Sequence, residues 1–379
     1  MRKEWELRKI GECFSYIKNG ANIKQTKGAG GYPITRIETL SGGVFNRDRL
    51  GYADVVDLEQ YKDYILESGD LLVSHINSKT YIGRTVVYEG KQGENIIHGM
   101  NLLRLKHNRS LINSAFLCYY TQSISFKLDI MRIRKDAVNQ SSFAISDFKK
   151  IRIPVPVLAT QISIVSELDK INELIQIKKE QLKDYDTLAQ SIFYEMFGDP
   201  VENEKGWEVK KFGDLFKLKS GDGLSSKDFK TGIYPVYGGN GISGYHNSFN
   251  MKGCYIIIGR VGVYCGNVRK VEGEFWLTDN AFRLIYKENE QNPFFILYLL
   301  NILDLHQYAN AAAQPVISNL TLKSINVPLP PLSLQQSFAH KIEQIERQKA
   351  EVQKTITDLE TLLAARMQYW FDQASNQNT

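Results

Sequence analysis

The chain has 379 residues, 43% hydrophobic and 23% charged, with a formal net charge of +5; this is the composition of a folded globular protein and excludes a collagen-like, low-complexity or largely disordered chain. The longest apolar run, residues 293–300, is far short of the roughly 20 residues that span a bilayer, and the opening residues lack the apolar centre of a signal peptide. Cys13, Cys118, Cys254 and Cys265 form no C-x-x-C pair, so neither a disulfide framework nor a metal site is expected, and a reduced, cytoplasmic protein with no membrane partner is.

Residues 1–158 carry a net charge of +8 and residues 159–200 a charge of −4, followed by +2 over 201–332 and −1 over 333–379. Two long basic blocks alternate with two short acidic ones, which suits basic domains facing a polyanion and connectors that do not. Within the first block, short β-branched runs such as Asp70-Leu71-Leu72-Val73-Ser74 are punctuated by Gly and Asn. A single helical stretch, 114–122, follows Asn113 as N-cap. The block closes on Ile151-Arg152-Ile153-Pro154-Val155-Pro156, which cannot be helix interior and predicts an extended exit strand.

From 159 to 200 the apolar positions Ile164, Leu168, Ile171, Ile175, Leu182, Tyr185, Ala189, Ile192 and Met196 are spaced by alternating fours and threes, broken only at Lys178. This is a coiled-coil seam on one helix. The third block then repeats the first. Trp5-Glu6-Leu7-Arg8-Lys9-Ile10-Gly11 returns as Trp207-Glu208-Val209-Lys210-Lys211-Phe212-Gly213, and Tyr32-Pro33-Ile34 as Tyr234-Pro235-Val236. Asn101, Arg104, Phe116 and Tyr119 match Asn280, Arg283, Phe295 and Tyr298; Gln140, Ile151, Pro154, Pro156, Leu158 and Gln161 match Gln314, Ile325, Pro328, Pro330, Leu332 and Gln335. The order of landmarks is kept, so the chain is a duplication of a unit of roughly 170–200 residues. A helix over 293–303 with Asn292 as N-cap repeats the first helix. The last block supplies a second seam, Phe338, Ile342, Ile345, Val352, Ile356, Leu359 and Leu363, with Lys349 at one seam position.

Two equal helices of about 36 residues, roughly 54 Å each at 1.5 Å per residue, can bury their seams against each other. The fold class expected is α+β: two tandem mixed α/β domains over 1–158 and 201–332, separated by a central helix over 159–200 and a C-terminal helix over 333–379. An antiparallel coiled coil of these helices relates the domains by a pseudo-twofold axis. Double-stranded DNA rewards two readers held about one turn, roughly 34–36 Å, apart.

With its Trp-x-x-x-x-(Ile/Phe)-Gly openings, its Gly-Asp-Leu-Leu and Gly-Cys-Tyr-Ile segments, Ala313-Gln314-Pro315-Val316-Ile317-Ser318, and Ile325-Asn326-Val327-Pro328-Leu329-Pro330-Pro331-Leu332 before Gln335-Gln336, the chain resembles the specificity subunit of a type I restriction-modification system over nearly its whole length. The resemblance implies two target-recognition domains, each reading half of a split DNA site, and helices that set the gap and dock two modification subunits. Those subunits would carry S-adenosylmethionine and methylate adenine; restriction subunits that cut unmodified DNA are a further implied partner. This chain would hold no cofactor and catalyse nothing. The first half departs from the pattern at Gln140-Ser141-Ser142-Phe143-Ala144-Ile145-Ser146, which lacks the Pro.

Three motifs suggest other chemistry and are better read otherwise. Gly239-Asn240-Gly241-Ile242-Ser243-Gly244 fits the dinucleotide fingerprint but is followed by the loop-like Tyr245-His246-Asn247-Ser248 rather than a helix. Asn292-Pro293-Phe294-Phe295 approximates an adenine-methyltransferase motif, yet a helix start explains it and its counterpart at Asn113. Asp70 with Glu89-Gly90-Lys91 loosely fits a nuclease constellation, a spacing common by chance. What remains is a DNA binder's inventory, with Lys and Arg for phosphates and Arg, Lys, Asn, Gln and Ser for base edges. In the first domain the candidates are Lys24, Lys27, Arg36, Arg47, Arg49, Lys79, Tyr81 and Arg84, and in the second Lys219, Ser226, Lys227, Tyr237, Asn240, Tyr245, Arg260, Tyr264 and Asn267. Arg104 and Arg283 lie in apolar strands and are expected to pair within the fold. A coiled-coil scaffold with two protein-binding domains is the alternative reading.

Overall fold

The computed structural model describes residues 5–26, 30–108, 110–138, 140–287, 291–310 and 313–372. The chain divides into two compact units, residues 1–177 with 356–379, and residues 178–355. The two long helices, Leu158–Phe197 and Leu332–Met367, therefore each contribute a segment to both units. No helix among the described residues is long and apolar enough to cross a membrane.

The first unit is built on an antiparallel sheet in the order Phe14–Asn19, Leu102–His107, Leu71–Ser74, Thr85–Val87. Leu71–Ser74 is buried along its whole length because both faces are covered. Leu71 and Val73 enter the core beneath the helices, and Leu72 enters a smaller cluster on the other face with Leu40, Val86 and Tyr88. Alternate residues serve different cores, so the run has no polar alternation. The second unit repeats the arrangement with Phe216–Ser220, Ala281–Tyr286, Met251–Gly259 and Val268–Leu277, and extends the sheet by the hairpin Tyr234–Gly238 and Gly241–His246 to six strands. Gly241–His246 is thus a strand where the sequence suggested a loop. It offers no helix start, so the dinucleotide fingerprint fails for the expected reason.

Asn113 and Asn292 are the N-caps that the sequence proposed. Asn113 Oδ1 accepts from the Phe116 amide at 3.0 Å, and Asn292 Oδ1 from the Phe294 amide at 2.9 Å, with Pro293 in the first turn. The exit strand Arg152–Val155 pairs antiparallel with Glu6–Lys9, and Asn326–Leu329 with Glu208–Lys211. A buried glutamine then ties each exit to its helix. Gln161 accepts from the Asn113 amide at 2.8 Å and donates to the Pro156 carbonyl at 2.7 Å; Gln335 does the same with Asn292 at 3.1 Å and Pro330 at 2.9 Å. The matched Pro-x-Pro and Gln landmarks are therefore one device used twice: the second proline lies just past the end of the exit strand, and its carbonyl accepts from the glutamine side chain.

The first unit holds a second helix, Ile124–Ile133, whereas the sequence suggested only a single helical stretch over 114–122. Its polar start hides the signal: Ser123 caps it, and Asp372 from the chain's far end accepts from the Ser125 amide at 2.9 Å.

The seam residues fall where the spacing puts them. In the first unit Ile164, Leu168, Ile171, Ile175 and Ile356 are buried, with Leu359 and Leu363 half-buried. Glu167 takes an ion pair from Arg366, Nη2 to Oε2 at 3.0 Å, and a hydrogen bond from Trp370 Nε1 at 3.2 Å. In the second unit Phe338, Ile342, Ile345 and Val352 are buried, and Leu182, Tyr185 and Ile192 half-buried. Here Lys349 meets Asp186 at 2.7 Å while Phe338 meets Phe193 at a ring distance of 5.6 Å, so the paired segments run antiparallel. At the end of the first helix the deepest positions are Ala189, Phe193 and Phe197 rather than Ile192 and Met196. The apolar stripe shifts by one residue, and Phe193 and Phe197 pack at once on Phe338 of the second long helix and on Phe295 of the domain core. Phe197 packs against Phe295 in the second unit, and Phe371, beyond the second long helix, packs against Phe116 and Tyr120 in the first.

Candidate nucleic-acid interface

In the first unit residues 75–84, a loop that carries the short strand Ile76–Asn77, join Leu71–Ser74 to Thr85–Val87; in the second, a loop over 260–267 joins Met251–Gly259 to Val268–Leu277. The two loops end on one backbone frame. The Gly83 amide donates to the Ser74 carbonyl at 2.7 Å and the Ser74 amide to the Arg84 carbonyl at 2.9 Å; the Gly266 amide donates to Gly259 at 2.8 Å and the Gly259 amide to Asn267 at 2.9 Å. Gly83 and Gly266 have φ of +80° and +92°, and a Cβ on Gly266 would lie 2.5 Å from the His306 amide nitrogen. Only glycine fits there. Two residues before each glycine stands an exposed tyrosine, Tyr81 (46%) and Tyr264 (53%).

Each loop is backed by the segment carrying the matched glutamines Gln140 and Gln314. The Phe143 amide donates to the His75 carbonyl at 3.2 Å, and the Ile317 amide to the Arg260 carbonyl at 2.9 Å. In the second unit the turn at Gly239 also closes on the loop, since a Cβ there would lie 2.4 Å from the Val261 carbonyl oxygen, and the Arg260 amide donates to the Asn280 carbonyl. Asn240, Arg260, Tyr264 and Asn267 thus belong to one loop cluster. Arg260 spreads over the Phe282 ring at 5.4 Å, and its Nε is buried without a hydrogen-bond partner. Tyr245 is exposed on the neighbouring strand, while Tyr237 is half-buried with its ring edge on Phe275. Lys219 is exposed on Phe216–Ser220, and Ser226 and Lys227 on the short helix Ser226–Asp228.

In the first unit Lys79, Tyr81 and Arg84 line a cleft of about 610 Å³ whose other wall is the helix Ile124–Ile133, with Lys127 and Arg134. No carboxylate lines it among the described residues. Asp136 lies beside it and accepts from Lys79 at 3.1 Å and Arg134 at 2.8 Å; hydrogen bonds from Ser141 and Lys79 hold its carboxyl down at about 2. Arg84 has its guanidinium over the Tyr81 ring at 4.4 Å and one nitrogen 3.3 Å from the Leu40 carbonyl. Lys127 and Arg134 escaped the sequence reading because their helix did.

The remaining candidates of the first domain lie elsewhere. Lys24, Arg36 and Arg49 are exposed, and Arg36 crosses Gly51 next to Gln25. Arg47 is committed within the fold: it grips Glu94 with two nitrogens at 2.7 and 2.8 Å and the Glu89 carbonyl at 2.7 Å, and this pair holds the Glu94 carboxyl at about 2. Lys27 lies outside the described residues. As the apolar strand predicted, Arg104 is internal; its side chain is 3% exposed and meets Asp70 at 2.7 Å. The buried Asp70 is therefore a structural partner and not part of a nuclease site, while Arg283 turns to Met251 and the Tyr255 ring. Among the described residues no group of three or more His, Cys, Asp or Glu is placed to hold a metal ion.

Both halves match the family model of the type I restriction modification DNA specificity domain, over residues 2–184 and 204–361. The putative type I restriction enzyme MjaX specificity subunit of Methanocaldococcus jannaschii is 29% identical across 95% of this chain and 93% of its own length. The EcoprrI specificity subunit of Escherichia coli is 29% identical across 64% of this chain and 66% of its own. The crystal structure of a type I restriction-modification S subunit from M. genitalium superposes with a TM-score of 0.56 at 18% identity, covering 98% of this chain and 97% of that one; a chain from a structural study of type I system assembly gives 0.59 at 16%, covering 98% of both. With both repeats matched and its duplicated architecture shared, the chain belongs to the type I restriction-modification DNA specificity family, the non-catalytic sequence-recognition subunits of those systems.

Proposed function

We propose that each unit reads one half of a bipartite double-stranded DNA site through its tyrosine-bearing loop cluster. The two long helices fix the spacing of the half-sites and dock two copies of a modification subunit, and restriction subunits join the same assembly. In this reading S-adenosylmethionine resides on the modification subunit, the methylated base is adenine, and the complex works in the cytoplasm. The observation that carries the proposal is the recurrence of one loop frame, Tyr-x-Gly followed by Arg84 or Asn267, at the same strand junction of both halves. A duplicated scaffold with diverged polar tips is what reading two different half-sites requires, because phosphate contacts position a reader and base-edge contacts specify it.

Methylated-base sequencing of DNA from cells expressing this chain with its genomically adjacent methyltransferase, compared with the methyltransferase alone, tests the proposal. A split motif of methylated adenines present only with both proteins is expected. If the proteins co-purify and no new motif appears, the reading is wrong. Deleting one heptad from both helices should shorten the spacer and leave both half-sites unchanged; an altered half-site would refute the spacing role.

A further inference from the structure

The loop frames coincide in backbone and differ in polar chemistry at the residue that follows the glycine. Tyr81-Ile82-Gly83-Arg84 and Tyr264-Cys265-Gly266-Asn267 share the left-handed glycine and the paired strand hydrogen bonds already described. They also share a local turn, with the Arg84 amide 3.2 Å from the Tyr81 carbonyl and the Asn267 amide 3.3 Å from Tyr264. The next residues keep the register: Thr85 pairs with Val73, and Val268 with Ile258. Arg84 and Asn267 therefore occupy the same place in two otherwise diverged domains.

Arg84 has no carboxylate partner among the described residues. The only hydrogen bond of its side chain there is the 3.3 Å contact to the Leu40 carbonyl, and its guanidinium carbon lies 4.4 Å from the Tyr81 ring centre. A planar fork with most of its five donors unspent, stacked on an exposed ring, is organised for a two-acceptor edge. In the major groove that edge is O6 and N7 of guanine, whereas an asparagine amide in the same place matches N7 and N6 of adenine. We infer that the residue after the loop glycine is a base-selecting position in each domain, with Arg84 choosing guanine in one half-site and Asn267 choosing adenine in the other.

The inference rests on the reading that each domain recognises DNA, and the test separates the two. Wild type, Arg84→Asn, Arg84→Lys and Asn267→Arg are each expressed with the methyltransferase and their methylated motifs sequenced. Asn267→Arg should change one position of one half-site from adenine to guanine, by a preference on the order of tenfold to a hundredfold, with the other half-site unchanged. Arg84→Asn should change one guanine of the other half-site to adenine. Arg84→Lys, which keeps the charge and loses the fork, should relax that position without moving the rest. A wild-type split motif with all variants reading it unchanged overturns the inference and leaves DNA reading intact. Uniform loss of methylation in Arg84→Lys and Asn267→Arg with no altered preference, in proteins that melt like wild type, also overturns it, because the position then serves phosphate or fold. Absence of a motif with wild type removes the reading and the inference together.

Discussion

Phe371 offers a direct test of how the first domain is completed. The residue lies 255 positions from Phe116, yet its ring sits 5.5 Å from Phe116 and 5.8 Å from Tyr120, and it is 1% exposed. Replacing a fully buried phenylalanine by alanine removes its transfer free energy and leaves a cavity, together about 3–5 kcal/mol. A domain has only about 5–15 kcal/mol in all. With a urea dependence of about 2 kcal/mol per molar, a loss of about 4 kcal/mol moves the midpoint of the first unit down by about 2 M. The second unit, residues 178–355, does not contain this ring. Trp5 and Trp370, stacked with centroids 6.5 Å apart, report the first unit by fluorescence when Trp207 and Trp276 are replaced by phenylalanine. Phe371→Ala should therefore lower that transition by about 2 M while protease resistance of the second unit persists at the same urea concentration. Phe197→Ala should do the reverse. A Phe371→Ala midpoint within about 0.5 M of the parent, or equal losses in both units from either substitution, would refute the claim that each domain core is closed by a helix end arriving from far along the chain.

Three further outcomes are expected. Asp70→Asn removes the buried carboxylate 2.7 Å from the Arg104 guanidinium, leaving the more exposed Glu67 at 3.6 Å, and should cost about 3 kcal/mol, whereas Asp70→Asn combined with Arg104→Met should recover part of that loss in a denaturation cycle; equal or greater loss in the double variant would sink this. Burial pushes the His75 imidazole down to about 4 and His98 to about 3, so both are neutral in the fold. Below about pH 6.5 the unfolded chain binds the protons that the fold refuses. Stability of the first unit should accordingly be greatest above pH 6.5 and fall on the order of 1 kcal/mol per pH unit per histidine as pH drops towards 4; a melting temperature of that unit flat between pH 6.5 and 4.5 would contradict it. Asn113→Ala and Asn292→Ala should each lower the melting point of their own unit, by about 1 kcal/mol in stability, with Asn113→Asp retaining the cap; unchanged melting in the alanine variants would remove the capping role.

The sequence alone determined the duplication, both helical seams, the two asparagine caps and the extended exits, because each is a local pattern. Heptad spacing states which side of a helix is apolar, and proline states where a helix cannot continue. Internal Arg104 was legible too, from a cation in an otherwise apolar strand. Tertiary structure decided what covers each pattern. Spacing could not say that Phe371 and Asp372 finish the first domain, since nothing local relates them to Phe116 and Ser125. Arg47 looked like a loop cation until Glu94, 47 residues away, closed on it. The helix Ile124–Ile133 was masked by its polar start, and the strand Gly241–His246 by glycines that a hairpin requires. The equivalence of Arg84 with Asn267 lay hidden because only a tyrosine and a glycine persist there in sequence. Backbone hydrogen bonds hold those two loops in register and place no demand on the side chain that follows the glycine, so that side chain is free to differ between the two halves.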